Sequence, residues 1–446
     1  MIKGPLGPGV IRLAAAPVLA LILTVVPPIA RAQEVFLGSA DQWGDLVKQP
    51  NQWAFVRNNI DGLYVNFIMM NRLRAGVLDA TANLLKNRRV FLESDHRTPK
   101  DGDDASGAAP ADDQASIQKL HASGLAIPYT SLNYGWSQER AANLRGFDKR
   151  PGTPRRNFVQ IGPWGIGGDI ARDQAQGRAG HGVPNAAYRE WIKGSDGVST
   201  DGPMGLWKAD SGRMRAGSVS IVKFAHQHGK TAVVMLGPYG ARNPDYDPAQ
   251  FLSVSQDAVR LHEDAAAVPD IWTVFEYATS IPAVPEQERG RPAATTTGVA
   301  FWLLHHLRDP GRAMSMALSR GSPQAGEGCG QAFEIMLANR SDWLDFAPRL
   351  RLNGLGRDRR MQASIDGVDV SDALRTGVSL AGPLRLWPGQ HRTIRLALAD
   401  DEGRSRADAM QLELYPGIGA VSPTQTLPLQ PSGQDCAGQK PAKKAA

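Results

Sequence analysis

The stretch Arg89-Val90-Phe91-Leu92-Glu93-Ser94-Asp95-His96-Arg97 decides how the rest of the chain is read. Val90, Phe91 and Leu92 form a short apolar run of the kind that fits a strand buried on both faces. A carboxylate, a hydroxyl, a second carboxylate and an imidazole follow it at once. Buried parallel strands deliver reactive groups at their carboxyl ends, because the sheet holds them in place while the loops beyond are free to vary. Ile271-Trp272-Thr273-Val274-Phe275-Glu276-Tyr277 has the same form. The two strand ends read as opposite walls of one pocket.

Outward from these strands, the chain alternates between strand and helix. Residues 60–68 are rich in β-formers and read as a first strand. Leu73, Val77, Leu78, Leu84 and Leu85 then recur with helical spacing over 71–87. A helix over 116–123, closed by Gly124, leads to a strand over 125–132 that ends in Asn133-Tyr134-Gly135-Trp136. A short helix over 138–144 and a strand over 157–161 follow. Residues 145–215 are otherwise irregular, but Trp164, Tyr188, Trp191 and Trp207 argue against disorder there. Regularity returns with a helix over 218–228, a strand over 231–236, a helix over 249–267, the strand at 271–275 and a helix over 297–307. This alternation predicts a parallel sheet with covering helices, a (β/α)8-like barrel over 33–320. Only six strands are legible, so either the irregular region hides two or the barrel is distorted.

Past residue 330 the pattern changes. Short alternating runs are separated by Asn353-Gly354, Asp366-Gly367 and Pro388-Gly389, which predicts an antiparallel β-sandwich over 330–420. Residues 421–446 are rich in Pro, Gln, Ser and Lys and read as a disordered tail.

At the other end, Lys3 and Arg12 precede an apolar stretch over 13–26, and Ala30-Arg31-Ala32 fits a cleavage site. Residues 1–32 therefore read as a secretory signal peptide, and the expected location is periplasmic or secreted. The apolar core is too short for a comfortable membrane span. The formal charge is +6. Removing Lys3, Arg12 and Arg31 would leave about +3, too weak a charge to argue for nucleic acid. Cys329 and Cys436 could bridge in an oxidising compartment, but spacing does not say whether they meet.

An exported α/β barrel followed by a small β-sandwich resembles secreted TIM-barrel glycoside hydrolases. The resemblance is one of architecture. Many retaining enzymes of that kind carry an Asn-Glu pair after the fourth strand and a Glu after the seventh. Glu276 is similar in placement to the second of these, whereas Asn133 is followed by Tyr134 and not by Glu. The resemblance implies a carbohydrate substrate.

Sugar hydrolysis needs an acid for the leaving oxygen and a carboxylate as nucleophile or base, roughly 5–9 Å apart. Glu93 and Glu276 are the candidate pair; the plainer reading has each pairing with an arginine such as Arg97 or ordering a loop. Asp95 and His96 are candidate substrate contacts that could instead tune Glu93, and they lack the spaced partners of a metal site. Asn133, Tyr134, Trp136, Trp164, Tyr239 and Tyr277 offer aromatic faces, amides and hydroxyls that suit a sugar, or simply pack loops. Asp169 and Asp201 are reserve carboxylates. His305 and His306 lie on an apolar helix and read as core or surface histidines. There is no Gly-x-Ser-x-Gly elbow or Walker loop, and Gly165-Ile166-Gly167-Gly168 lacks dinucleotide spacing, so no cofactor is expected. The competing reading is a non-catalytic carbohydrate-binding or cell-envelope protein.

Overall fold

The structure is a computed structural model that describes residues 33–38, 43–66, 74–85, 88–94, 118–133, 156–161, 186–200, 213–237, 250–275, 283–284, 287–288, 291–308, 314–324, 330–355, 359–376, 384–400, 410–415 and 423–429. Eight strands form a closed barrel: β1 (Glu34–Gly38), β2 (Gly62–Asn66), β3 (Arg89–Ser94), β4 (Ala126–Asn133), β5 (Arg156–Ile161), β6 (Gly197–Thr200), β7 (Thr231–Leu236) and β8 (Ile271–Val274). Every neighbouring pair is parallel, and β1 closes the ring by pairing with both β2 and β8. All carboxyl ends therefore open at one mouth.

The eight strands are therefore regular and complete. The irregular region hides one of the two that were not legible, β6. The other, β1, lies before the first strand read from sequence. Gly-Val-Ser-Thr carries a single large apolar residue, and Glu-Val-Phe-Leu-Gly is too short to establish a period, so neither announces itself.

Strand alternation explains the two buried layers. Val35, Leu37, Leu63, Val65, Val90, Leu92, Val159, Val198, Val234, Trp272 and Val274 belong to the large outer core. The residues between them, Phe36, Tyr64, Phe91, Tyr129, Phe158, Val233, Met235, Ile271 and Phe275, form a separate inner cluster that fills the lumen. Period 2 requires this division, since successive side chains point to opposite faces.

Small and large residues alternate to fit the rings. A Cβ on Gly38 would stand 2.1 Å from a ring carbon of Phe275, and one on Gly197 would stand 2.4 Å from Phe158.

Outside the barrel run the helices α1 (Trp43–Lys48), α2 (Ala54–Asn59), α3 (Ala75–Leu84), α4 (Ala186–Gly194), α5 (Arg213–Gln227), α6 (Phe251–Asp264) and α7 (Thr296–Arg308). The small pair β9 (Gln287–Glu288) and β10 (Arg291–Pro292) precedes α7.

The second region begins earlier than the sequence suggested. β11 (Met314–Gln324) already belongs to an antiparallel sheet with β12 (Gly330–Asn339), so the boundary moves from about 320 to between Arg308 and Met314. That sheet has the order β11-β12-β16-β14-β15, with β14 (Arg359–Ile365), β15 (Val368–Asp369) and β16 (His391–Asp400). A second sheet has the order β13-β17-β18, with β13 (Arg349–Asn353), β17 (Met410–Tyr415) and β18 (Gln425–Leu429). Asp366 and Gly367 both take positive φ, 48° and 88°, the geometry of a tight hairpin turn between β14 and β15.

β18 corrects the reading of 421–446 as a wholly disordered tail. Its low apolar content hid it, but the Gln425 side chain accepts from the Met316 amide at 2.7 Å and donates to the Met316 carbonyl at 2.6 Å. A side chain in place of a strand neighbour is not a periodic signal. Residues 430–446, Cys329 and Cys436 lie outside the described residues, as does the expected helix at 138–144.

A buried ionic network joins the two regions. Arg385 reaches Asp345 at 2.8 Å, Asp264 at 2.8 Å and Glu263 at 3.2 Å, and Arg260 reaches Asp345 at 2.8 Å. His306 sits between Glu263 Oε1 at 2.7 Å and the Asp345 carbonyl at 2.9 Å. Both ring nitrogens face acceptors, so the imidazole holds both protons. Burial opposes that charge, but Glu263 outweighs it and raises the His306 pKa. Burial likewise works against the Asp345 carboxylate, while Arg260, His306 and Arg385 hold it below the usual range. Of the two readings for His306, core or surface, the structure shows the first: it is buried, stacks on Trp302 and is also an ion-pair partner of Glu263.

Candidate active site at the carboxyl end of the barrel

The two ends of the lumen differ in how their polar groups are satisfied. At the amino end, Arg89 pairs with Glu34 at 3.1 Å and donates to the Tyr129 hydroxyl at 3.1 Å. Tyr129 in turn donates to Glu34 at 3.3 Å, and Arg156 donates to Thr231 at 3.4 Å. Burial, followed by the negative charge of Glu34, raises the Tyr129 hydroxyl pKa and keeps that group a donor. Charges and hydroxyls here close on one another, beneath the aromatic layer of Phe36, Phe91 and Phe158.

At the carboxyl end the accounting is different. Ser131, Gln160, Ser199 and Thr273 each stand two residues from a lumen-filling residue, or beside an outward one, so alternation turns them inward. All four lie in the carboxyl halves of their strands and are fully buried. None of their side-chain polar atoms has a hydrogen-bond partner, including both ends of the Gln160 amide. Leaving a buried polar group unmatched costs about 1–3 kcal/mol. Four such residues around one lumen leave hydrogen-bonding capacity at this end that a ligand or bound water could take up.

Glu93 belongs to this end. It is 1% exposed, and the Tyr64 hydroxyl donates to its Oε2 at 2.6 Å. Register sets it beside Asn66 on β2 and Ser131 on β4. Tyr64 is held edge-on between Phe91 at 5.3 Å and Phe275 at 5.1 Å. The chain of contacts from Glu93 through Tyr64 to Phe275 therefore crosses from β3 to the end of β8, the two strand ends picked out in the sequence.

Of the residues named from sequence, Glu93 is placed in full. Asn133 is the last residue of β4, in register with Gln160, and its side chain lies outside the described set. Asp95, His96, Tyr134, Trp136, Trp164, Tyr239, Glu276 and Tyr277 lie outside the described residues. In sequence each comes within three residues of the end of β3, β4, β5, β7 or β8.

Sequence reading missed Tyr64, Ser131, Gln160, Ser199 and Thr273. The available signal was a polar residue inside an otherwise apolar strand, as in Asn157-Phe158-Val159-Gln160-Ile161.

A separate groove of about 530 Å³ lies on the five-stranded antiparallel sheet, lined by Glu334, Gln362, Ser364, Asp369 and Arg395 among others. It is far in the chain from the strand-end carboxylates, so the barrel mouth is the better candidate for chemistry.

No protein-family model matches the chain, and no curated protein matches it. Among solved structures it is similar to a citrate lyase from Burkholderia xenovorans LB400, at 13% identity and TM-score 0.32, covering 54% of this chain and 72% of that one. It is also similar to orotidine 5'-phosphate decarboxylase from Pyrococcus horikoshii OT3, at 11% identity and TM-score 0.32, covering 61% and 99%. The Methanocaldococcus jannaschii orotidine 5'-monophosphate decarboxylase aligns at 8% identity and TM-score 0.32, covering 62% and 100%. None of these three is a glycoside hydrolase, and likenesses this distant carry no chemistry to this chain. The barrel class rests on the strand pairing itself.

Proposed function

We propose that the carboxyl mouth of the barrel is an active site that hydrolyses a glycosidic bond, with Glu93 as one of two reacting carboxylates. The observation that carries this reading is a buried carboxylate, aimed by Tyr64, at the end of the lumen where Ser131, Gln160, Ser199 and Thr273 lack partners among the described residues. A tyrosine hydroxyl at 2.6 Å fixes the rotation of the carboxylate, which an in-line reaction at a sugar carbon requires. Glu276 is its proposed partner. One would protonate the leaving oxygen while the other acts as nucleophile or base. Asp95, His96, Asn133, Tyr134, Trp136, Trp164, Tyr239 and Tyr277 are the proposed sugar contacts, because their strands all end at the same mouth.

The test is turnover on a panel of polysaccharides, read as new reducing ends. Glu93→Gln and Glu276→Gln should each lose turnover by at least about 10³-fold while keeping affinity, since the amide preserves shape and removes the acid and the base. Wild-type binding without turnover would assign the non-catalytic carbohydrate-binding role instead. Unchanged turnover in either variant would remove that residue from the chemistry.

Export is part of the same proposal. Protein recovered from the periplasm or medium should begin near Gln33 on N-terminal sequencing, and a retained Met1 would overturn it.

A further inference from the structure

The partnerless groups at the mouth also constrain what the site recognises. We propose that Ser131, Gln160, Ser199 and Thr273 form the recognition surface for an uncharged, hydroxyl-rich sugar unit, with the Gln160 carboxamide as its principal hydrogen-bonding group. This rests on the hydrolase reading and specifies its substrate class.

The argument begins with charge. Among the described residues, the inward side chains of the carboxyl half include the hydroxyls of Ser131, Ser199 and Thr273, the carboxamide of Gln160, and one carboxylate, Glu93, which already holds the Tyr64 hydroxyl. The arginines that face the lumen, Arg89 and Arg156, lie at the amino end and are engaged by Glu34, Tyr129 and Thr231. The aromatic layer separates them from the mouth. The four groups left without partners there are all neutral, hydroxyls and a carboxamide that suit an uncharged, hydroxyl-rich ligand.

Hydroxyl complementarity comes second. A sugar hydroxyl both donates and accepts, and so do serine and threonine hydroxyls; a carboxamide offers two donors and an acceptor. Gln160 is the one of the four that presents two separate polar atoms, a donor and an acceptor, to two adjacent sugar hydroxyls. Both its Oε1 and Nε2 lack partners among the described residues. Register places Ser199 directly beside it and Ser131 directly beside Glu93. On β5 the register neighbour of Ser131 is Phe158, so the groups form two adjacent pairs, Glu93 with Ser131 and, one inward position further on, Gln160 with Ser199. A core glutamine kept for packing would have its amide satisfied by neighbours; this one does not.

The experiment uses the full-length exported chain. Binding of wild type is measured on an array of neutral oligosaccharides of glucose, mannose, galactose and N-acetylglucosamine, beside oligosaccharides of galacturonic and glucuronic acid. Neutral sugars should bind and the acidic ones should not. Gln160→Leu should then weaken the neutral ligand by about 10- to 100-fold, as loss of two hydrogen bonds from a buried site implies. The same variant should melt no lower than wild type, because leucine fills the position without an unmatched amide. Should leucine prevent folding, Gln160→Met gives the same readout with a more adaptable side chain.

Selective binding of the uronate ligands would overturn this inference and leave the hydrolase reading standing. So would full affinity in a folded Gln160 variant. Failure to bind any oligosaccharide on the array would sink the hydrolase reading and the inference with it.

Discussion

The Tyr64 hydroxyl donates to Glu93 Oε2 at 2.6 Å across the β2–β3 pair. A residue from one strand aims the carboxylate delivered by the next. Tyr64→Phe removes the oxygen and little else, so the rings of Phe91 and Phe275 keep their edge contacts. Turnover should fall by about 10- to 100-fold, with stability reduced by roughly 1–3 kcal/mol for the donor lost to a buried carboxylate. Steady-state kinetics and urea unfolding of the one variant read both. Wild-type turnover would show that Tyr64 only packs.

Gly38 is required by Phe275, whose ring lies 2.1 Å from where a Cβ would be. Gly38→Ala should displace that ring from Tyr64 and destabilise the barrel by about 1–3 kcal/mol, as overpacking does. The same displacement should lower turnover. A melting temperature equal to wild type would mean that Phe275 has room to move.

The Arg385 guanidinium engages Asp345, Glu263 and Asp264 at once. Arg385→Ala leaves two buried carboxylates short of a cation, which should cost about 3–5 kcal/mol. It also removes one of the ties between α6 and the second region, leaving the Arg260–Asp345 pair as another. Denaturation followed by both tryptophan fluorescence and circular dichroism should then resolve two transitions where wild type shows fewer. Coincident wild-type curves would refute the coupling.

His262 gives a pH dependence of known sign. Its Nδ1 faces the Ala267 carbonyl at 2.8 Å and therefore carries the proton, while Nε2 accepts from Ser218 at 3.0 Å. Burial is the largest effect on it and lowers its pKa to about 4, against smaller opposing effects of Ala267 and Glu263. In the unfolded chain the same ring titrates near 6.5, at the ordinary value. Between these values the unfolded state binds the extra proton, so this contribution is full above 6.5 and is lost as pH falls towards 4. The loss should amount to roughly 3 kcal/mol. Unfolding free energies measured from pH 7 to 4 should fall less steeply in His262→Gln. Parallel curves for the two proteins would remove His262 as the cause.

Much of this architecture was legible from period alone. Val90-Phe91-Leu92 and Ile271-Trp272-Thr273-Val274 are buried on both faces, so continuous apolar runs with polar residues at their ends located β3, β8 and Glu93. The helices at 213–227 and 251–264 were read as 218–228, closed by Gly229, and 249–267, so the first was found with its start five residues late and the second two to three residues too long at each end. The turn at Asp366-Gly367 was read from residue types that tolerate positive φ.

What remained hidden depends on partners distant in the chain. β1 and β6 are short, and they become strands because neighbours on both sides supply their hydrogen bonds. β18 is held partly by one glutamine side chain. The sequence by itself determined the alternation of strands and helices, and with it the end of the sheet that carries Glu93. Only the tertiary structure decided that the barrel closes, because ring closure is a pairing of residues 34–37 with 271–274 that no local pattern encodes. It also decided which polar residues matter. Arg89 and Gln160 are both polar residues in lumen strands, and only the folded lumen shows that one is matched and the other is not.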